Sequence, residues 1–155
     1  MKLTAQEEYG IRCLIQVARR APHDADTPMS IREVAEAEGL SQDYAAKLLR
    51  VLRQAELLTS ERGASGGYRL SRPAREIPLS QVMQALDTPM YGADFCAGHS
   101  GHLGACSHQS SCSLRPVWRA VEGAVAEVLG RLSLAELIQQ EPAVTSALES
   151  NRRAG

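Results

Sequence analysis

Large aromatic side chains are scarce in this sequence: among 155 residues there are one Trp, one Phe and four Tyr. A core must therefore be assembled from Leu, Val, Ile and Ala, which favours helices. A net charge of one sign is also missing, at a formal −1, so the whole chain is no polycation made for nucleic acid. No apolar run approaches the length of a bilayer crossing, and the chain opens without an apolar leader. No membrane partner is expected, and the expected location is the cytoplasm. A P-loop, a dinucleotide fingerprint and a plausible catalytic triad are absent, which argues against an enzyme. The length allows one domain, or one domain with an extension, around a proper core.

What the sequence does have is a concentration of soft ligands. Cys96, Cys106 and Cys112 fall within seventeen residues that also hold His99, His102 and His108. Glycine and serine fill most of the rest, so this segment has no helical or strand period and cannot bury a core. In a reducing compartment, clustered cysteines bind metal or sense redox state in preference to forming disulfides, and thiolates select thiophilic metals. The gaps are nine and then five residues, unlike the Cys-x-x-Cys knuckles of structural zinc. An iron–sulfur cluster, with irons spread over several ångström, suits wider gaps. Zinc or an iron-free thiol switch is the alternative, and an iron–sulfur electron carrier a more remote one. Cys13, alone in an apolar-rich helix, is expected in the core.

Charge is uneven along the chain. Residues 41–75 carry seven Lys or Arg against three acids, and the segments on either side are mildly acidic. This is a local electrostatic footprint. Ile11, Leu14, Ile15 and Ala18 predict a helix over 3–21, capped by Thr4 with Glu7 and ended by Pro22. Glu8 falls in its first turns, where the helix dipole favours a carboxylate. Ser30 with Glu33 predicts a second helix that stops at Gly39. Ser41 caps a third, running to about Gln54, with Ala45, Leu48, Leu49 and Leu52 inward and Gln42, Tyr44, Lys47, Arg50 and Arg53 outward. Helix, glycine-containing turn and helix with a basic outer face is the arrangement that delivers a recognition helix to a major groove.

Two short strands follow, 57–60 and 68–70, joined by Glu61-Arg62-Gly63-Ala64-Ser65-Gly66-Gly67, whose glycines permit positive φ. A hairpin directly after a recognition helix reads as a wing, with Arg62 at its tip suited to a narrow minor groove, and Arg69, Arg72 and Arg75 close by. Leu79, Val82, Met83 and Leu86 predict a fourth helix beneath this unit. Beyond the cysteine segment, Ser113 caps a long helix with Pro116 in its first turn. Leu114, Trp118, Val121, Val125, Val128 and Leu132 are spaced four, three, four, three, four. This heptad seam needs a partner, most simply the same helix of a second copy. Leu134, Leu137 and Ile138 begin a short last helix, and the tail from Pro142 has few anchors and is expected to fray at 151–155. The expected fold is mostly α with a small β-hairpin wing. It divides into a winged helix-turn-helix domain at 1–90, a cysteine-rich loop at 91–113, a dimerisation helix region at 114–140 and a tail at 141–155.

Several stretches together resemble the Rrf-two family of bacterial winged-helix regulators over residues 1–139. They are the opening Met-Lys-Leu-Thr, the helix Leu40-Ser41…Tyr44…Lys47-Leu48-Leu49, the wing Arg62-Gly63-Ala64-Ser65-Gly66-Gly67-Tyr68-Arg69-Leu70, and three loop cysteines followed by a long helix. The resemblance implies a DNA-binding transcription regulator: a homodimer on a partly palindromic double-stranded operator, with a 4Fe–4S or 2Fe–2S cluster on each loop. Nitric oxide, iron supply or redox state would be the signal. The DNA-facing residues would be Ser41, Gln42, Tyr44, Lys47, Arg50, Arg62, Gly66 and Gly67. Cys96, Cys106 and Cys112 would hold the cluster. Glu8 matches the position from which some members supply a carboxylate across the dimer, from the partner subunit's first helix. Members with a histidine ligand place it three residues after the last cysteine, where this chain has Arg115. His99, His102 and His108 compete for the same corner, and the first cysteine gap is longer than in the best-known members.

Overall fold

Helix α1 (Ala5–Arg20) starts on the expected cap. Thr4 Oγ1 accepts from the Glu7 amide at 3.2 Å, and the Glu7 carboxylate accepts from the Thr4 amide at 2.5 Å. The computed structural model describes residues 3–20, 27–63, 66–86, 95–99, 102, 104–108 and 110–153, so Pro22 and its connector lie outside the described residues. The buried stripe of α1 is Gly10, Cys13, Leu14, Val17 and Ala18, with Ile11 and Ile15 packed at its edge. Gly10 has no room for a side chain, because a Cβ there would strike the Leu86 side chain.

Helix α2 (Ile31–Glu38) opens with a capping box between Ser30 and Glu33 and ends at Gly39 in a left-handed turn, φ 66°. Glu33 also pairs with Arg20 of α1 at 2.7 Å. The Ser30 amide, then its hydroxyl, then Arg20 hold the Glu33 carboxyl down at about 2, from an ordinary 4.5. A carboxyl lowered in this way stabilises the fold fully above its unfolded value, and the contribution fades as pH falls towards the folded one. Glu33→Gln should therefore flatten the acid limb of the stability curve between about pH 4.5 and 2, as read by urea midpoints across that range. A limb as steep as the wild type's would show that the box and the Arg20 pair do not set it.

Helix α3 (Gln42–Gln54) is capped by Ser41, whose side chain accepts from the Tyr44 amide. Ala45, Leu48, Leu49 and Leu52 are fully buried beneath it. The helix stops at Glu56, which takes φ 58°. That left-handed turn is held by its own carbonyl, which accepts from Ser71 Oγ at 2.5 Å and from the Arg72 guanidinium at 3.3 Å. Arg72 also donates to the Glu76 carbonyl and to Gln81. It is a clamp inside the fold.

Strands β1 (Leu58–Glu61) and β2 (Gly67–Leu70) pair antiparallel from Leu58↔Leu70 to Glu61↔Gly67. Residues 64 and 65 at the turn lie outside the described set. Positive φ is used at Gly63 (120°) but not at Gly66 or Gly67. Those two are glycine because other backbone is close: a Cβ on Gly67 would lie 2.5 Å from the Met29 carbonyl oxygen, and one on Gly66 would strike the Glu61 carbonyl. Met29, just before α2, in fact exchanges two hydrogen bonds with Tyr68, at 2.8 and 2.9 Å. The wing is thereby sewn to the helical body. Gly67→Ala should break that contact at a cost of about 1–3 kcal/mol, the usual range for overpacking, measured as a drop in urea midpoint. An unchanged midpoint would mean that the backbones part freely.

After a 3-10 turn at Ala74–Glu76, helix α4 (Leu79–Leu86) buries Leu79, Val82 and Leu86. A single turn, α5 (Phe95–Gly98), and the long α6 (Leu114–Gly130) follow. Ser113 differs from expectation: it has helical dihedrals and makes no side-chain capping bond. No residue of α6 is buried, yet Leu129 packs on the core and Leu132, just past the helix, is 5% exposed. Leu132 is fixed by the Leu79 amide, which donates to its carbonyl at 2.8 Å. The apolar seam therefore ends at Val128, and Leu132 belongs to the core. Helix α7 (Leu134–Leu137) follows, and the segment expected as a loose tail is helix α8 (Glu141–Arg153). It is clasped to the end of α6 by Arg131 and Asn151, each donating to the other's carbonyl at 3.0 and 2.9 Å. No helix among the described residues is long and apolar enough to cross a membrane.

Candidate functional site

Two surfaces carry chemistry. The first is the outer face of α3 with the wing. Of the seven cations in 41–75, three are used internally: Arg69 pairs with Glu61 across the hairpin at 3.1 Å, Arg75 pairs with Glu76 at 3.4 Å, and Arg72 is the clamp described above. Of the arginines around the wing, Arg69 and Arg72 are thus drawn into the hairpin and its base. Lys47, Arg50, Arg53 and Arg62 are exposed and have no ion pair among the described residues. Unpaired cations on a helix face repel one another, so the fold itself gains nothing from this arrangement.

The remaining DNA candidates divide by role. Gln42 and Ser41 are exposed at the start of α3, with Ser41 already serving as the cap. Tyr44 is half-buried, its ring edge-on to Tyr9 of α1 at 6.1 Å, and the Arg12 guanidinium lies 5.2 Å from the Tyr9 ring. Tyr44 thus ties α1 to α3 as well as bordering the outer face. Gly66 and Gly67 are half-buried and shape the wing through backbone contacts. Two residues outside the candidate list share the face, Arg53 and Tyr68. Arg53 was visible in the helical spacing, whereas Tyr68 arrives only through strand pairing.

The second surface is the cysteine segment. Cys96 lies in α5, and Cys96, Cys106 and Cys112 are all partly exposed, while Cys13 is buried. Burial pushes the Cys13 thiol up to about 12, and the nearby Glu38 adds to this. It is an inert core group, as expected. Among the described residues no group of three or more His, Cys, Asp or Glu side chains comes together as a metal-holding set. His99 stacks on Phe95 (centroids 4.2 Å apart), with Nδ1 2.8 Å from the Phe95 carbonyl. A carbonyl only accepts, so Nδ1 carries the proton there. His102 and His108 are exposed, and Glu8 is exposed on α1. The chemistry of the donors fits an iron–sulfur cluster: three thiols outside the core, none in a disulfide, within seventeen residues of sequence. The described part of a single chain brings neither the three thiols together as a set nor a fourth donor beside them.

Residues 3–140 match the family described as Rrf2, iron-dependent transcriptional regulator. The chain is 35% identical to the protein rrf2 of Nitratidesulfovibrio vulgaris, over 90% of this chain and 88% of that protein. It is 32% identical to the HTH-type transcriptional regulator IscR of Sodalis glossinidius, over 91% and 81%. Among solved structures it is similar to T. potens IscR, with a TM-score of 0.65 at 28% identity over 89% of this chain and 86% of that one. It is about equally similar to CymR, the global cysteine regulator of B. subtilis, with a TM-score of 0.64 at 25% identity over 89% and 96%.

Proposed function

The chain belongs to the Rrf2 family of transcriptional regulators, and from that premise we propose that it binds its operator as a homodimer under the control of an iron–sulfur cluster on Cys96, Cys106 and Cys112. It is a DNA-binding regulator and not an enzyme, as its relatives are. The observation that carries the DNA reading is the set of four exposed cations without ion pairs among the described residues, Lys47, Arg50, Arg53 and Arg62, on α3 and the wing. The homodimer is supported by the face of α6, where Leu114, Val117, Trp118, Val121 and Val128 are 36–57% exposed. An apolar stripe of that length on one helix is the mark of an interface. Pairing it would set two α3 helices at major grooves one turn apart, about 34 Å.

When bound, the cluster supplies a centre sensitive to oxidants, nitric oxide and iron supply. The chain's own contribution is threefold. Three thiolates bind, the partner subunit's first helix offers Glu8 as the fourth donor, and α1 passes its position to α3 through Tyr9 and Tyr44. A coupling of about 1–3 kcal/mol would change operator occupancy several-fold to a hundredfold. The protein would act in the cytoplasm, where such thiols stay reduced.

A second reading is favoured by a specific observation, the equal likeness to a cysteine regulator in a chain whose described residues gather no ligand set. In it the loop cysteines act as a thiol switch. Anaerobic purification followed by operator titration decides. The cluster reading expects a brown protein with iron and acid-labile sulfide, whose operator affinity changes when iron is chelated. A colourless protein whose affinity follows thiol oxidants would replace it with the switch.

A further inference from the structure

Between α3 and the wing's return strand lies an open cleft of about 330 Å³, lined by Asp43, Ala46, Lys47, Arg50, Arg53 and Tyr68. The cations come from positions three residues apart on one helix, which places them on one side of it. Tyr68 closes the opposite wall, because its backbone is fixed to Met29 by two hydrogen bonds. None of the three cations has a carboxylate partner among the described residues, although Asp43 lies in the same cleft. A concave site lined by one sign of charge focuses the field and attracts a counter-ion. Asp43 repels an anion at the N-terminal end, so the attraction centres on Arg50 and Arg53.

We infer that this cleft is a seat for a single tetrahedral oxyanion, built from Arg53 and Arg50 with Lys47 at its edge and Tyr68 as its wall. The inference rests on the reading that α3 enters a major groove, and it gives the C-terminal half of that helix a role different from its start. Gln42 and Arg53 are eleven residues apart, about 16 Å along a helix axis. A major groove is only about 8.5 Å deep. With the start of α3 at the base edges and its axis tilted out of the groove, Arg53 would stand at the rim, where the phosphates are. The seat therefore positions the helix and carries no sequence preference. The same chemistry would accept free inorganic phosphate, so the two sources have to be separated.

The test compares wild type, Arg53→Gln and Arg53→Lys on a duplex enriched from a random pool and on a scrambled duplex, across a salt series. Arg53 is exposed, so both variants should unfold at the wild-type temperature. Each phosphate neutralised contributes about one to the slope of log affinity against log salt, and roughly fivefold in affinity near 0.15 M salt. A symmetric dimer has two seats. Arg53→Gln should therefore lower the slope by about two and weaken both duplexes roughly 30-fold, while Arg53→Lys restores most of the slope. A duplex with one methylphosphonate at the rim position should weaken binding by wild type roughly fivefold and leave Arg53→Gln unaffected. This outcome assigns the seat to the DNA backbone. Micromolar binding of inorganic phosphate to the free protein, lost in Arg53→Gln, would instead assign it to the free ion. A loss confined to the enriched duplex would make Arg53 a base reader and overturn the seat. Failure of wild type to bind either duplex would defeat the DNA reading alone. The phosphate titration then still decides, and identical titrations of wild type and Arg53→Gln would remove the seat.

Discussion

Replacing Val121 and Val128 together by Asp should leave a folded monomer that has lost its operator. Both side chains are exposed in the single chain, at 39% and 53%, so the substitutions remove nothing from the core. In a dimer they would bury four carboxylates in an apolar seam, where an unpaired charge is costed in several kcal/mol. Dimerisation at micromolar concentration is worth only about 8 kcal/mol, so two such pairs exceed what the interface can absorb. Light scattering should report the monomer mass and circular dichroism the full helix content. Operator affinity should fall by a hundredfold or more, because the two half-sites then have to be held independently. A double variant that still scatters as a dimer would move the interface away from α6.

The other large effect lies in the cysteine segment. Cys106→Ala should yield protein with little or no iron and sulfide, with an operator affinity equal to that of chelated wild type. Two thiolates are too few to hold a cluster against competing thiols. Cys13→Ala should keep its full iron content, since that thiol is buried among core side chains. Glu8→Ala should fall between the two. It should assemble a cluster on three thiolates, with altered absorption and faster bleaching in air, because an oxygen donor on a soft centre is its most exchangeable ligand. If Glu8→Ala matches wild type in spectrum and lifetime, the fourth donor is elsewhere. His99 is then the first candidate, since its Nδ1 faces the Phe95 carbonyl at 2.8 Å and its Nε2 lone pair is left for a metal.

What could be read from the sequence was local. The caps at Thr4, Ser30 and Ser41 each depend on a partner three residues away, and all three form. The stripe of Ala45, Leu48, Leu49 and Leu52 points inward as its spacing requires. What was misread depends on distant chain. Leu132 fits the heptad by spacing, but Leu79 and Ile77 hold its neighbourhood inside the core. Gly66 and Gly67 look like conformational hinges until Met29 and Glu61 are seen pressing on them. Arg69 and Arg72 look like wing cations until their acceptors come into place. The tail from 141 lacks a strong apolar pattern, and its attachment includes packing of Ala147 on the core and a reciprocal amide–guanidinium clasp that no periodicity reveals. The same limit applies to the candidate cluster ligands: Glu8 and Cys106 are far apart in sequence, and no spacing rule links them.

Anchored at the end where Leu129 and Leu132 meet the core, α6 would work as a lever. Its seventeen residues extend about 25 Å, and Cys112 lies two residues beyond the far end. A pivot of about 5° at the anchored end would sweep the tip by about 2 Å, by the same helix geometry. A change of ligand length at the cysteine segment, acting at the long arm, would reach the fulcrum as a rotation with almost no translation. Its effect at the operator would be a change of pitch between the two reading helices. Spacer length in the operator, varied one base pair at a time, would then shift the preference between the two states, each turned by about 34° per step of the duplex.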